Sequence, residues 1–195
     1  MEPRGPDLVA VAAAETPTAG RYAAALVPIG GMVEEGGTMH MDPAELRRVF
    51  GMFATGVTIV TARDPEGGYV GMTVNSFTSV SLDPPLVLWC LDRAAWSLPA
   101  FVGSGAYAVN VLAAGQEELS NRFARRGEDK FAGLEVTEGH GGAPLLPGCL
   151  AHLQCRLVDT HEAGDHLVLV GEVVEADASG GEPLLFFGGR YGRLA

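Results

Sequence analysis

The sequence predicts a mainly β fold, an antiparallel barrel carrying a few helices. Three observations lead there. Glycine is abundant, 27 of 195 residues, and much of it stands where turns are needed. Many glycines among short β-branched runs favour strands over a helical bundle. The chain is 47% hydrophobic and 19% charged, which is globular and long enough to bury a core. Finally, the elements run helix, hairpin, strand, short helix, strand, helix, long hairpin, final strand. That order lacks the βαβ alternation of a parallel sheet.

Residues 1–40 mix Ala, Gly, Pro, Glu and Thr without a persistent period. They read as a flexible N-terminal extension, with a short helix around Arg21–Val27, and residues 41–195 as the folded domain. The domain starts at Asp42-Pro43-Ala44-Glu45, a helix start. Asp42 accepts from free N–H groups, Pro43 suits the first helical position and Glu45 reaches back. Leu46, Val49, Phe50 and Phe53 then form one apolar face, and Gly56 ends this helix over 42–55. Val57–Ala62 and Tyr69–Val74 make a hairpin around the Asp64–Gly68 turn. Pro84-Pro85 precedes a near-continuous apolar strand, Leu86–Leu91. A short helix over Ala95–Val102, a strand over Tyr107–Leu112 and a helix over Gln116–Ala124 follow. Residues 133–149 read as a loop. Leu150–Thr160 and Leu167–Glu175 are two long strands around the link Ala163–His166, and Leu184–Phe187 and Arg190–Leu194 finish the chain.

The formal net charge is −11. Nucleic-acid binding draws mostly on Lys and Arg contacts to phosphate, so this composition argues against it. An anionic ligand would need local positive charge or backbone N–H groups. Cys90, Cys149 and Cys155 form no C-x-x-C and are odd in number. A reducing cytoplasm is the expected setting. No apolar run approaches the roughly 20 residues needed to span a bilayer, and no secretory signal is visible, so no membrane partner is expected.

Several motifs fail on context. Gly103–Ala108 spells G-x-G-x-x-A, but a short helix precedes it and a strand follows, the reverse of a dinucleotide fingerprint. There is no P-loop and no G-x-S-x-G. The histidines at 40, 140, 152, 161 and 166 show no metal spacing, so no metal is expected.

The run Thr73-Val74-Asn75-Ser76-Phe77-Thr78-Ser79-Val80-Ser81 is more informative. Hydroxyl residues alternate with apolar ones along an extended chain, so one face can offer hydroxyl and N–H groups to a phosphate. Asn75 supplies both a donor and an acceptor. A polar edge strand is the plainer reading of the same letters. Thr55-Gly56-Val57-Thr58 joins helix to strand, where Gly56 permits close backbone approach or caps the helix. Ser97 opens a short helix, whose N-terminus favours anions.

Four segments together resemble the flavin reductase family with the FMN-binding split-barrel fold. They are Arg47–Thr61, Met72–Val87, Leu119–Ala124 continuing to Asp129-Lys130-Phe131, and Gly164-Asp165-His166. The resemblance covers residues 42–195. It implies an antiparallel Greek-key split β-barrel, typically homodimeric, with the site near the subunit interface. The implied activity is NAD(P)H:flavin oxidoreductase, passing hydride from NADH or NADPH to FMN or FAD. Reduced flavin then feeds the separate oxygenase component of a two-component flavin-dependent monooxygenase. The resemblance places Thr55, Gly56, Val57, Thr58, Thr73, Val74, Asn75, Ser76, Phe77, Thr78, Ser79, Ser81, Ser97, Lys130 and Phe131 around the flavin. It places Gly164, Asp165 and His166 on the nicotinamide side, with His166 as the catalytic candidate, positioning the reductant. Arg125 and Arg126 add positive charge nearby. Tyr191 either meets a cofactor or packs on the barrel. A flavin carrier without nicotinamide activity and a split-barrel oxidase stay open as alternatives.

Overall fold

The structure is a computed structural model describing residues 42–127 and 129–194. The expected extension over 1–40 and the short helix within it lie outside the described residues. The first helix, α1 (Pro43–Phe50), opens as its sequence predicts: the Asp42 carboxylate accepts from the Ala44 N–H at 3.0 Å. It ends at Gly51 rather than Gly56, where the Gly51 N–H closes the last turn on Arg47 O. The chain then extends into β1 (Thr55–Gly56), which pairs with β11 (Leu185–Phe187), itself paired with β12 (Arg190–Gly192). The apolar face of α1 is not spent on the core, since no residue of the helix is buried.

The barrel sheet holds seven strands: β2 (Thr58–Arg63), β3 (Tyr69–Val74), β4 (Thr78–Leu82), β5 (Pro85–Asp92), β6 (Ala106–Val111), β9 (Ala151–Ala163) and β10 (His166–Ala178). Their order is β3-β2-β6-β9-β10-β5-β4, and all the pairings are antiparallel. Strands β3 and β4 are the two ends of this order, although only Asn75-Ser76-Phe77 separates them in sequence. The barrel is therefore split between two strands adjacent in the chain. Between the strands lie α2 (Leu98–Ser104), α3 (Glu117–Ala124) and a small hairpin of β7 (Thr137–Glu138) and β8 (Pro144–Leu145). The hairpin and a short 3₁₀ turn, His140–Gly142, occupy the stretch read as loop. Gly103-Ser104-Gly105 ends α2, with Gly105 left-handed as its C-cap.

Strand β2 shows why the sequence lacked a clean alternation. Ile59 faces one core, with Leu112, Phe123, Leu146 and Leu184; its neighbour Val60 faces the other, around Trp89, Phe101 and Tyr107. A strand buried on both sides needs no apolar–polar alternation, and its buried threonines, Thr58 and Thr61, donate to the carbonyls of Val74 and Pro144. The second core seats α3 and the C-terminal strands against the barrel, which brings the ends of α3 and β3 together. The long strands β9 and β10 are linked by Gly164-Asp165 alone, and Gly164 sits at φ 63°, where a Cβ is strained.

Candidate active site

A cavity of about 190 Å³ opens at the split. Strand β3 supplies Met72, Thr73 and Val74, and Ser76 follows from the link to β4. Cys90 and Asp92 end β5, and Ala95, Trp96 and Ser97 come from the loop into α2. The far side is Phe123, Ala124, Arg125 and Arg126 at the end of α3, with Lys130 beyond it, and His166 enters from β10. Arg125, Arg126 and Lys130 thus gather on one opening, with Asp92 as the carboxylate lining it, in a chain of net charge −11.

Lys130 is buried, and its Nζ donates to Gly71 O at 3.0 Å and Phe123 O at 2.8 Å. It ties α3 to β3 across the cavity floor, and burial pulls its pKa below the ordinary lysine value. His166 shows a different logic. Its side chain is 12% exposed while that of Asp165 is 90% exposed, and Nδ1 stands 2.7 Å from Asp165 Oδ1. Hydrogen bonding to His166 holds the Asp165 carboxyl below its usual range. An ionised carboxylate only accepts, so Nδ1 carries the hydrogen and Nε2 is the nitrogen left for a ligand.

Of the residues singled out in the sequence, Thr73, Val74, Ser76, Ser97, Arg125, Arg126, Lys130 and His166 meet in this cavity. A smaller crevice adjoins it along Thr73 and Val74 and holds Val57, Asn75 and Tyr191, with Ser120 and Phe186. Asn75 is 7% exposed, and neither its Oδ1 nor its Nδ2 has a partner; the buried Thr55 Oγ1 is likewise unpartnered. Tyr191 OH lies 2.8 Å from Ser120 Oγ and donates to Asn121 Oδ1 at 3.2 Å, so the tyrosine is half-buried packing and crevice wall at once.

The hydroxyl row is bonded within the protein. Thr73 Oγ1 donates to Ser120 O at 2.6 Å, and Thr58 Oγ1 to Val74 O at 3.1 Å. Ser76 Oγ donates to Cys90 O at 3.3 Å and accepts from Cys90 N at 3.0 Å, pinning the β3–β4 link to β5. Thr78, Ser79 and Ser81 lie on the edge strand β4, outside the cavity, with Thr78 Oγ1 bonded to Ser79 O and Ser81 Oγ to Pro84 O. The hydroxyls of Thr58, Thr73, Ser76, Thr78 and Ser81 thus fasten backbone that borders the split, each by a bond to a main-chain carbonyl. Phe77 packs on the barrel core and Phe131 on Phe123 and Tyr69, away from the cavity. Gly56 does not cap the helix, which ends at Gly51, and it has open space where a Cβ would stand. Ser97 is buried at the cavity wall but makes no side-chain cap bond. Trp96, Asp92, Cys90 and Met72 are cavity residues that sequence reasoning missed. Trp96 alone carried a signal, a large aromatic beside a helix start.

A family model described as "Flavin reductase like domain" matches residues 50–195. An FMN reductase (NADH) of Agrobacterium fabrum is 49% identical over 149 residues, 76% of this chain and 84% of that protein. The reductase subunit of a flavin-dependent monooxygenase of Rhodococcus jostii is 45% identical, covering 77% of each chain. Among solved structures, an NADH:FAD oxidoreductase of Streptomyces globisporus, in complex with NAD and FAD fragments, superposes with a TM-score of 0.75 at 45% identity. The match covers 79% of this chain and 93% of that one.

Proposed function

The chain belongs to the flavin reductase-like family, and from that membership we propose its reaction: hydride transfer from NADH to FMN or FAD. The reduced flavin leaves for a separate oxygenase. The observation that supports this reading best is the convergence of Arg125, Arg126, Lys130 and His166 on one cavity of an acidic chain. Both substrates are phosphate-bearing anions, and a local cluster of cations concentrates them against the unfavourable background.

The residues fit a flavin by a second test. The amide of Asn75 is buried with donor and acceptor both unpartnered, and the uracil-like edge of a flavin offers the complementary pair. A buried amide left so costs about 1–3 kcal/mol, which a ligand at that edge recovers. Strand β4 is an edge, so half its backbone N–H groups face away from β5. Those groups, rather than the hydroxyls of Thr78, Ser79 and Ser81, are the donors for a phosphate there.

The redox chemistry belongs to the two substrates, with hydride leaving nicotinamide C4 for flavin N5. The protein supplies position. Lys130 fixes the floor and contributes charge. Thr73, Val74 and Asn75 line the flavin side. His166, oriented by Asp165, presents Nε2 to the nicotinamide carboxamide and moves no proton. Stacking two rings at reaction distance is an effect of proximity and orientation.

A homodimer completes this site. The cavity of about 190 Å³ is smaller than the roughly 300–1,000 Å³ usual for such ligands, and Val49 and Phe50 of α1, with Phe53 in the turn after it, are exposed. A reducing cytoplasm suits three buried, unbridged thiols and an NADH supply.

The test follows the near-ultraviolet absorbance of NADH with FMN, FAD or no flavin added. NADH oxidation that saturates with flavin is the expected result. Flavin binding without consumption of NADH or NADPH overturns the reductase and leaves a flavin carrier or an oxidase.

A further inference from the structure

The chain has two tryptophans. Trp89 is 0% exposed in the barrel core, whereas Trp96 is 57% exposed and lines the mouth of the cavity. A large aromatic placed for stability is usually well buried. Trp96 is not exposed because its loop is loose. Ala94 N–H donates to Asp92 Oδ1 at 2.7 Å, Ala95 N–H to Asp92 O at 2.9 Å and Leu98 N–H to Ala95 O at 3.0 Å. Ala95 and Leu98 both pack against the core. The backbone on either side is held while the indole is presented at the opening, a pre-organised aromatic surface.

We propose that Trp96 is a stacking platform for the nicotinamide ring of the reductant, covering the face turned away from the flavin. The inference rests on the reductase reading above. Connectivity chooses the nicotinamide over the flavin. Asp92, which anchors the Trp96 loop, is the cross-strand partner of His166, and Arg93 N–H donates to Asp165 O at 3.0 Å. Trp96, Asp165 and His166 therefore belong to one bonded unit. The flavin-side groups, Thr73, Val74, Asn75 and Lys130, sit on β3, in the link that follows it and beyond α3. Hydride transfer uses one face of the nicotinamide against the flavin. The other face meets water unless an aromatic covers it, and an indole is the best such cover.

The experiment is steady-state kinetics of Trp96→Ala and Trp96→Phe in the full chain. Two reductants are compared: NADH and reduced nicotinamide mononucleotide, which keeps the ring and lacks the adenosine. Trp96→Ala is expected to raise KM roughly five- to tenfold for both, with kcat within about twofold and flavin Kd unchanged, because stacking of this kind is present in ground and transition states alike. Trp96→Phe is expected to restore most of the loss. Oxidised NAD is expected to quench the tryptophan fluorescence of the unaltered chain but not that of Trp96→Phe, since Trp89 is sealed in the core. An unchanged KM overturns the proposal. So does a rise confined to NADH, which assigns Trp96 to the adenine, or a rise in flavin Kd instead. If Trp96→Ala fails to fold, Trp96→Leu keeps apolar bulk without a π face and replaces it. Failure of the unaltered chain to oxidise NADH with any flavin defeats the reductase reading itself, a separate result.

Discussion

The side chains of His166 and Asp165 are 2.7 Å apart on consecutive residues, one nearly buried at the cavity and the other in solvent. The carboxylate is the orienting partner and the imidazole the presented one. Asp165→Asn keeps an acceptor but loses the charge, and is expected to raise KM for NADH roughly fivefold, the worth of about 1 kcal/mol of hydrogen bonding. Flavin affinity stays unchanged. His166→Ala removes the cause of the depressed Asp165 pKa, so the carboxyl returns to its ordinary range, read by NMR of the side-chain carbon. The sign follows from the depression. A carboxyl held low when folded stabilises above its unfolded value, and that contribution is lost as pH falls through the folded value. The contact is acid-labile, and solvent keeps it weak.

Lys130 inverts that dependence. Its folded pKa is lowered by burial, so folding disfavours the charged form. The cost is full below the folded value and is relieved as pH rises toward the unfolded value of 10.5. Stability is therefore expected to climb with pH across that window, and Lys130→Met abolishes the climb. The same variant strands the carbonyls of Gly71 and Phe123, a loss of about 1–3 kcal/mol at neutral pH. Denaturant melts from neutral to alkaline pH read both effects, and a variant with unchanged slope removes Lys130 from the account.

The barrel was legible because turn glycines and β-branched runs punctuate it; the site was legible only in part. Lys130 and His166 are named through the family resemblance, in Asp129-Lys130-Phe131 and Gly164-Asp165-His166, and both line the cavity. The hydroxyl run was ambiguous for a physical reason. A threonine or serine reads the same whether its oxygen meets a ligand or a neighbouring carbonyl, and strand pairing decides which. Ser76 is bonded to Cys90, 14 residues on, a contact no local pattern encodes. The α1 face was read correctly as apolar, but period alone does not say whether a core or another surface receives it.

Gly171 on β10 tests the packing beneath the site. A Cβ there would stand 2.2 Å from Tyr107 Oη, 2.6 Å from Cζ and 3.1 Å from Cys155 Cβ. Tyr107 is 0% exposed and Cys155 is buried beside it, so neither has room to yield. Gly171→Ala is expected to destabilise by about 1–3 kcal/mol, seen as a lower Tm in calorimetry. A Tm equal to the parent's contradicts the packing described.

The last prediction concerns the surface that α1 presents. Val49 is 46% exposed, Phe50 44% and Phe53 65%, and Phe187 is 50% exposed on β11. The turn after α1 and the end of β11 are joined where Gly188 N–H donates to Gly51 O at 2.8 Å. Exposed large apolar groups gathered on joined elements are the mark of an interaction surface. In the homodimer proposed above, a second copy of the chain would cover this patch and would also enlarge a cavity too small for its ligands. A charge at the centre of such a patch is buried without a partner, so Phe50→Asp with Phe53→Asp is expected to give a monomer in light scattering. Neither side chain contributes to the barrel core, so the monomer should keep its fold. If the patch completes the site, the monomer also binds flavin roughly tenfold or more weakly, the scale set by losing 1.4 kcal/mol or more. A chain that remains dimeric places the interface elsewhere. A monomer with full flavin affinity shows that one copy suffices.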